Sequence, residues 1–426
     1  AEALHEEMAR DETIFIVGED LVAHAGIFGQ FKGIPEKFPG RIIDTPISET
    51  CIAGCGLGAA MTGMRPIIDF HFSDFVTCAM DEFCNQAAKI RYMFGGQVKL
   101  PMVVWCPDGA GLRAAAQHSQ SLEAWFVHMP GLKVVIPSEP ADVKGLIKAS
   151  IRDDDPVMFF QHKKLFAKEG PVPKEDYVIP LGQAAVKREG KDVSLLCYGS
   201  GYYLCWEAAD KLAKDGIDAE VIDLRTLKPL DMETVATSIR KTHRAVVVHE
   251  ACRTGGFGAE LAARIQDELF DDLDAPVKRV GARDVPIPFS PPMEDFVLPN
   301  VGQVTGAVHA VQRVDDADFF LGNPLDDHRA GTVAEQDAGV AVGVVDDGRH
   351  DLRTDDQHAL GVARLDLGPR VLQGEDESAA GPLEVEAPGI GAAEQVLDDA
   401  GRGREQHVGR DGGHDDQVHV LGLDAG

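Results

Sequence analysis

The chain has 426 residues, more than one hydrophobic core usually organises, so two or three domains are expected. Its 41 lysine and arginine residues against 70 aspartate and glutamate residues give a net charge of −29. That acid excess excludes a nucleic-acid-binding surface, which needs a basic stripe, and suits attraction to a basic partner. No apolar run approaches the roughly 20 residues of a membrane span, and no targeting segment is recognisable, so we expect a cytoplasmic protein.

Eight cysteines are spread along the chain without a CxxC pair. No histidine cluster stands at zinc-binding spacing, and the chain is too long to depend on a disulfide framework. We therefore expect reduced, mostly buried thiols.

Residues 1–182 alternate short β-rich runs with helical patterns. The predicted strands are TIFIVG, RPIIDFHF, PMVVWC, KVVIP and PVMFFQ, and the predicted helices are ETCIAGCGLGAAMTG, FVTCAMDEFCNQAAKIRYM and EPADVKGLIKASIRD. After the linker PVPKEDYVIPLG, the alternation restarts and continues over 183–312. This order predicts an α/β fold with two doubly wound parallel-sheet domains, 1–182 and 183–312.

From Arg313 to Gly426 the composition changes abruptly. This stretch has no Lys, Cys, Met, Trp or Tyr, and its 9 arginines against 26 acidic residues give a net charge of −17. Such a low-complexity acidic tail is expected to be disordered. An alternative is that it is GC-rich DNA translated out of frame.

The first chemical motif is DTPISETCIAGCGLGAAMTG, residues 44–63. It delivers Ser48, a plausible N-cap, and Glu49 to the start of a helix rich in small residues. By itself the segment favours a structural reading, in which Glu49 is a first-turn acid stabilised by the helix dipole. A dinucleotide fingerprint does not fit, because GxGxxG is absent.

The second motif places His118 in the Gly/Ala-rich stretch GAGLRAAAQHSQ. A histidine there is a candidate general acid or base, although a lone histidine is more often structural. Between the two motifs, Phe72, Phe75 and Met80 stand at helical spacing, as ordinary core residues would.

Taken in order, these segments resemble one family. The shared motifs are ISE before a small-residue helix, FxxF before DxxxNxAAKxRYM, AAQHSQ, PGLKVVxP, IRDDDPV, EVIDLRT, HEA and VPIPFSPPMEDFVLPN. The family is the beta subunit of the thiamine-diphosphate-dependent decarboxylating component of 2-oxoacid dehydrogenase complexes, of transketolase type. The resemblance covers about residues 1–312. It implies a pyrimidine-binding domain followed by a transketolase C-terminal domain.

The resemblance also implies site roles. Glu49 matches the carboxylate that activates thiamine diphosphate at its aminopyrimidine ring, a task that requires a buried carboxyl group. His118 matches the histidine on the substrate side of the thiazolium. Phe75 matches an aromatic residue that packs on the pyrimidine, and Ile47 and Cys78 line the same pocket.

A cation site is implied in the same way. The residues that match a potassium-binding loop of some members are Ser150, Ile151, Asp153 and Asp155. Their carbonyl and carboxylate oxygens are hard ligands suited to such a cation. Without the resemblance, RDDDP is an ordinary solvated turn.

The phosphate end of the cofactor has no counterpart here, because residues 1–312 contain no GDG motif and no P-loop. The resemblance therefore implies that an alpha subunit supplies magnesium and half of the site, in a heterotetramer with two copies of each subunit. Residues 255–260, GGFGAE, would help to dock a lipoyl acyltransferase core.

The activity implied is oxidative decarboxylation of a 2-oxoacid, pyruvate first, with reductive acylation of a lipoyl group. Acetoin cleavage is the nearest alternative, since RYMFGG and GAGLRAAAQHSQ look as much like acetoin enzymes. Branched-chain 2-oxoacids are less favoured, because position 75 is Phe rather than Tyr. A non-catalytic assembly subunit is an alternative of a different class.

Overall fold

The structure is a computed structural model that describes residues 1–313. The predicted acidic tail, beyond its first residue, lies outside the described residues. Within them, two sheets dominated by parallel strands are covered by helices, which confirms the predicted fold class.

The first sheet has seven strands in the spatial order β10-β5-β6-β4-β3-β1-β2 once they are numbered along the chain. They are β1 (Ile14–Gly18), β2 (Ile42–Asp44), β3 (Arg65–Asp69), β4 (Val103–Asp108), β5 (Lys133–Val135), β6 (Val157–His162) and β10 (Thr226–Lys228). All residues of β4 and β6 are buried. A continuous buried run of this kind is typical of a parallel strand covered on both faces.

The second sheet has five strands in the order β12-β11-β8-β9-β7. They are β7 (Ala185–Arg188), β8 (Val193–Cys197), β9 (Ala219–Asp223), β11 (Ala245–Cys252) and β12 (Lys278–Ala282). Only the edge strand β7 runs antiparallel to its neighbour.

Twelve α-helices are found among residues 1–313. They are α1 (Glu2–Arg10), α2 (Leu21–His24), α3 (Ile34–Lys37), α4 (Glu49–Met61), α5 (Ala88–Met93), α6 (Glu123–His128), α7 (Pro140–Arg152), α8 (Gly201–Leu212), α9 (Met232–Thr242), α10 (Phe257–Glu268), α11 (Pro291–Val297) and α12 (Val301–Gln312).

The helix predicted over residues 75–93 is divided into three pieces. A 3₁₀ segment (Ser73–Ala79) and a π-helical segment (Asp81–Ala87) precede α5. The Cys78 carbonyl accepts a 2.9 Å hydrogen bond from the Thr50 hydroxyl of α4, and this contact holds the segment against α4. Departures of this kind from α geometry are frequent at functional sites.

A second departure is β10, which comes from the second half of the chain yet pairs antiparallel with β5 of the first sheet. Arg225, just before β10, has a positive φ of 58° and bonds Asp142 of α7 at 3.1 Å. The two halves therefore share a strand pairing as well as side-chain packing. The boundaries 1–182 and 183–312 stay a prediction.

The cysteine expectation is half correct. Cys84, Cys106, Cys197 and Cys205 are buried, whereas Cys51, Cys55 and Cys78 are exposed. The three exposed thiols lie on α4 and on the 3₁₀ segment that packs on it. Within residues 1–313, no helix is long and apolar enough to cross a membrane.

Candidate active site

Glu49 is the first residue of α4, directly after the carboxyl end of β2 and its following loop. The carboxyl ends of parallel strands are where α/β sheets usually place ligands. Glu49 is half-buried rather than fully buried, and the neighbouring Ile47 is 77% exposed. Ser48 is the N-cap residue of α4, as predicted, although its side chain makes no capping hydrogen bond.

The position of α4 depends on a close approach to β3. A Cβ added to Gly56 would lie 2.3 Å from Ile68 Cδ1, whereas one added to Gly54 or Gly58 would meet nothing within 4 Å. One glycine therefore serves packing inside this chain. The other two leave an open outer face beside Glu49.

A second acid lies near Glu49. Burial raises the pKa of Glu19, and the negative charge of Glu49 adds to that rise while His71 opposes it. The His71 ring lies 2.7 Å from the Glu19 carbonyl. Behind them, burial raises the pKa of Asp69 to about 6. We did not single out these residues from the sequence, although all three follow or end strands β1 and β3, a signal that could have found them.

His118 closes a 3₁₀ turn in the loop after β4 and lies between two phenylalanine rings. Its ring centroid is 4.8 Å from that of Phe72 and 5.3 Å from that of Phe75, both in edge-to-face geometry. Phe72, which the sequence suggested to be core, is therefore part of the site. His118 and Phe75 are both half-buried and reachable from solvent.

The 3₁₀ segment Ser73–Ala79 connects the two parts of the site. Asp74 Oδ1 accepts bonds from the backbone N–H of Gln120 at 3.1 Å and from its side-chain amide at 2.8 Å. At the other end of the segment, Cys78 is bonded to Thr50, the residue after Glu49. The structure thus brings Phe75 and Cys78 together with the loop of His118 and the helix of Glu49.

These residues fit the pyrimidine end of thiamine diphosphate. A carboxylate at a helix N-terminus, an accessible aromatic ring and exposed apolar Ile47 suit a flat heteroaromatic ring with polar edges. His118, a residue type suited to proton transfer, is half-buried beside these rings and open to solvent. No group of three or more His, Cys, Asp or Glu side chains in residues 1–313 is placed to hold a metal ion.

Several oxygens of the residues suggested for potassium already have partners within the protein, and the cation site stays a prediction. The Ile151 and Asp153 carbonyls accept bonds from Arg65 Nη1 at 3.0 and 2.8 Å. The carboxylates of Asp153 and Asp155 pair with Lys133, and Asp155 also pairs with Arg91. The Ser150 hydroxyl donates to the Leu146 carbonyl within α7. Protein cations thus contact oxygens of Ile151, Asp153 and Asp155.

Two family descriptions match the chain. Residues 1–168 match the transketolase pyrimidine binding domain, and residues 182–304 match the transketolase C-terminal domain. A solved structure described as a split gene transketolase, inactive beta4 tetramer, aligns with a TM-score of 0.62 over 74% of this chain and 96% of that one. At 24% identity, that likeness concerns the fold alone.

Curated relatives are closer. The beta subunit of acetoin:2,6-dichlorophenolindophenol oxidoreductase from Cupriavidus necator is 45% identical over 73% of this chain and 95% of its own length. The pyruvate dehydrogenase E1 component subunit beta of Rhizobium meliloti is 45% identical over 73% of this chain and 68% of its own. The 2-oxoisovalerate dehydrogenase subunit beta of Bacillus subtilis is 45% identical over 72% and 94%. With its fold, its site and these relatives, the chain belongs to the family of E1 beta subunits of the thiamine-dependent dehydrogenases, built from transketolase pyrimidine-binding and C-terminal domains.

Proposed function

We propose that this chain is the beta subunit of a pyruvate dehydrogenase, an oxidoreductase that decarboxylates its 2-oxoacid and acylates a lipoyl group. The observation that carries the proposal is the half-buried Glu49 carboxylate at the start of α4. This helix is hydrogen-bonded through Thr50 to the 3₁₀ segment that carries Phe75, and the Phe75 ring contacts His118. The names of the curated relatives support the same reaction class.

Thiamine diphosphate, when bound, supplies a nucleophilic carbon and an electron sink for decarboxylation. Glu49 would hold a proton against the pyrimidine ring nitrogen, and Phe75 would pack on the ring face. His118, steadied between Phe72 and Phe75, would transfer a proton to or from the substrate carbonyl oxygen or the arriving lipoyl sulfur. Ile47 and Cys78 would close the pocket.

An alpha subunit would complete the site, in a heterotetramer with two copies of each chain. Ile47 and Cys78 are exposed in the single chain, and a Cβ added to Gly54 or Gly58 of α4 would have no atom of residues 1–313 within 4 Å. Small residues on an exposed helix face allow another backbone to approach closely. In this proposal the partner holds the diphosphate and its magnesium.

The role of Glu49 is tested by Glu49→Ala in the assembled enzyme. We expect 2-oxoacid oxidation to fall by at least about 100-fold, because preorganised cofactor activation is lost, with little change in the thermal midpoint. The matched control is Glu36→Ala, which removes an exposed first-turn acid from α3. Full activity of the Glu49 variant would contradict the catalytic role and favour a non-catalytic assembly subunit.

The substrate is tested separately with a panel of pyruvate, acetoin and branched-chain 2-oxoacids on the co-expressed pair. We expect the largest kcat/KM with pyruvate. A larger value with acetoin would select the alternative, for which the acetoin enzyme relative at 45% identity is a specific reason.

Docking to a lipoyl acyltransferase core is proposed through the C-terminal half, with residues 255–260 near the contact. Thr254 and Gly255 are exposed at the carboxyl end of β11, and the acid excess of the chain favours a basic partner. Co-sedimentation with the core at rising ionic strength tests this, since an electrostatic contact weakens as salt screens it.

A further inference from the structure

The second sheet has a crevice of the kind in which open α/β sheets bind ligands, and a segment of this chain occupies it. The chain leaves β8 towards β9 on one side and later returns to β11 on the other, so the strand order reverses between β8 and β11. In open α/β sheets this switch point is where ligands bind, at the carboxyl ends of the strands. Here the crevice is occupied by a backbone loop from the first half of the chain.

That loop begins at Gly109, directly after β4, and leads to His118. Ala110 N–H donates a 2.6 Å hydrogen bond to Glu250 Oε1, near the carboxyl end of β11. Glu250 Oε2 accepts bonds of 2.9 Å from Ser200, after β8, and from the His162 ring, at the end of β6. Glu250 therefore joins both edges of the crevice to the loop.

At Gly109 the loop passes too close to its neighbours to carry a side chain. Gly109 has a φ of 82°, and a Cβ there would lie 2.3 Å from the His162 ring and 2.9 Å from Glu250 Oε1. The His162 ring and the Glu250 carboxylate therefore restrict the position of the loop at Gly109.

A second glutamate holds the next part of the loop. Glu294 of α11, which is fully buried, accepts a bond from Gly111 N–H and pairs with Arg113 at 3.1 Å. Arg113 and Ala115 both have positive φ angles, 59° and 62°, which non-glycine residues adopt only when their surroundings impose it. The conformation that presents His118 is therefore maintained by the C-terminal half.

The Glu250 carboxylate is charged in this setting. Burial alone would raise the pKa of Glu250, but the His162 charge and the bonds from His162, Ala110 and Ser200 lower it to about 2. Burial would likewise lower the pKa of His162, yet Glu250 outweighs it and the pKa is raised. A charged acceptor makes a stronger bond to the Ala110 N–H than a neutral one.

We propose that Glu250 is a positioning residue for the dehydrogenase reaction: from the switch point of the C-terminal sheet, it holds the loop that presents His118. The catalytic consequence rests on the role proposed for His118, whereas the anchoring of the loop does not. The C-terminal domain accordingly binds the loop after β4 of its own chain, at the position where open α/β sheets bind a ligand.

Hydrogen–deuterium exchange of the assembled enzyme tests the anchor. In Glu250→Ala, peptides covering 109–122 are expected to exchange about 10-fold faster or more, the effect of losing a charged hydrogen bond. Glu250→Gln keeps the side-chain shape and an acceptor, and is expected to give a smaller increase. Peptides covering α9 and α12 should exchange as in the wild type. Asp284→Asn, an exposed acid on the same half of the chain, is the matched control and should change nothing in 109–122.

Unchanged exchange over 109–122 in both Glu250 variants would overturn the proposal, as would a uniform increase over the whole chain. If Glu250→Ala does not assemble, the result for Glu250→Gln decides. Kinetics give the second readout. The variant with the larger increase in exchange over 109–122 should have the lower kcat, with the KM for the 2-oxoacid little changed. A loosened loop with full kcat would overturn the positioning role. A fully active His118→Ala would remove the role of His118 but leave the exchange result intact, so the two failures are distinguishable.

Discussion

At the scale of single residues, the site combines groups whose charges are set by burial. Glu49 and Glu19 are both half-buried, whereas Asp69 and Asp108 are fully buried, and burial raises the pKa of Glu19, Asp69 and Asp108. Such perturbed acids cluster near functional sites in α/β enzymes. A protein that buries acids in this way becomes sensitive to pH in its stability as well as in its activity.

Asp108 gives the clearest test of that sensitivity. Burial raises its pKa to about 8, and the His162 charge opposes the rise only in part. Because the folded state keeps this proton, the stability it contributes is complete below about pH 4, where the unfolded aspartate titrates, and is lost as pH rises towards 8. Asp108→Asn cannot ionise. We therefore expect its thermal midpoint to fall less between pH 6 and pH 8 than that of the wild type.

The exposed Asp271→Asn variant serves as the control for this measurement. His162 also has a raised pKa, so it loses its contribution as pH rises above about 6.5. Asp108 contributes to raising the pKa of His162, so in Asp108→Asn this loss is also smaller and changes the pH dependence in the same direction. Equal pH dependence of the two thermal midpoints would show that Asp108 is already ionised in the folded protein.

At the scale of elements, α4 has an inner and an outer glycine face. Gly56→Ala places a Cβ against the fully buried Ile68, and overpacking should lower the free energy of unfolding by about 1–3 kcal/mol. In Gly54→Ala the added Cβ has no described atom within 4 Å, so the free energy of unfolding should rise by up to about 1 kcal/mol through helix propensity. Urea unfolding of the purified chain measures both. A neutral Gly56→Ala would mean that α4 can move away from β3.

Gly58→Ala extends the same comparison to assembly. Among the described residues its Cβ would also have no atom within 4 Å, so we expect the free energy of unfolding of the single chain to rise by up to about 1 kcal/mol, as for Gly54→Ala. If the outer face of α4 receives the alpha subunit, the added methyl group should weaken assembly, measured as the dissociation constant of the heterotetramer. Unchanged assembly would place the partner elsewhere.

The turn after α7 provides a further test. Arg65 bonds the Ile151 and Asp153 carbonyls, and Lys133 pairs with Asp153. A potassium ion coordinated by these oxygens would have to displace the Arg65 guanidinium. We expect the same thermal midpoint in potassium and sodium buffers of equal ionic strength. A higher midpoint in potassium alone would restore the cation site suggested by the sequence.

The sequence predicted those helices and strands whose local residue pattern matches their burial in the folded chain. The buried strand PVMFFQ and the helix beginning at Glu49 are both found in place, because apolar runs and small-residue helices leave few alternatives. The division of residues 73–93 into three helical types was not predictable, since it involves a hydrogen bond from Thr50, distant in sequence. Glu250 was visible only as part of HEA, because its partners Ala110 and His162 come from the other half of the chain.

At the scale of the molecule, the two halves are interlocked. β10 crosses into the first sheet, Arg225 bonds Asp142, and Glu250 and Glu294 hold the loop after β4. We therefore expect the halves to unfold together rather than as independent domains.

The described structure ends with α12, whose buried Val304, Val308 and Val311 pack into the core of the second half. Truncation after Arg313 removes none of these contacts, and the curated acetoin relative aligns over 95% of its length within 322 residues. We expect the truncated chain to keep the wild-type thermal midpoint and kcat with its alpha subunit. Because residues 313–426 carry a net charge of −17, binding of the full chain to a basic acyltransferase should depend more steeply on salt than binding of the truncated chain. A drop in thermal midpoint on truncation would instead show that the acidic region contributes to the fold.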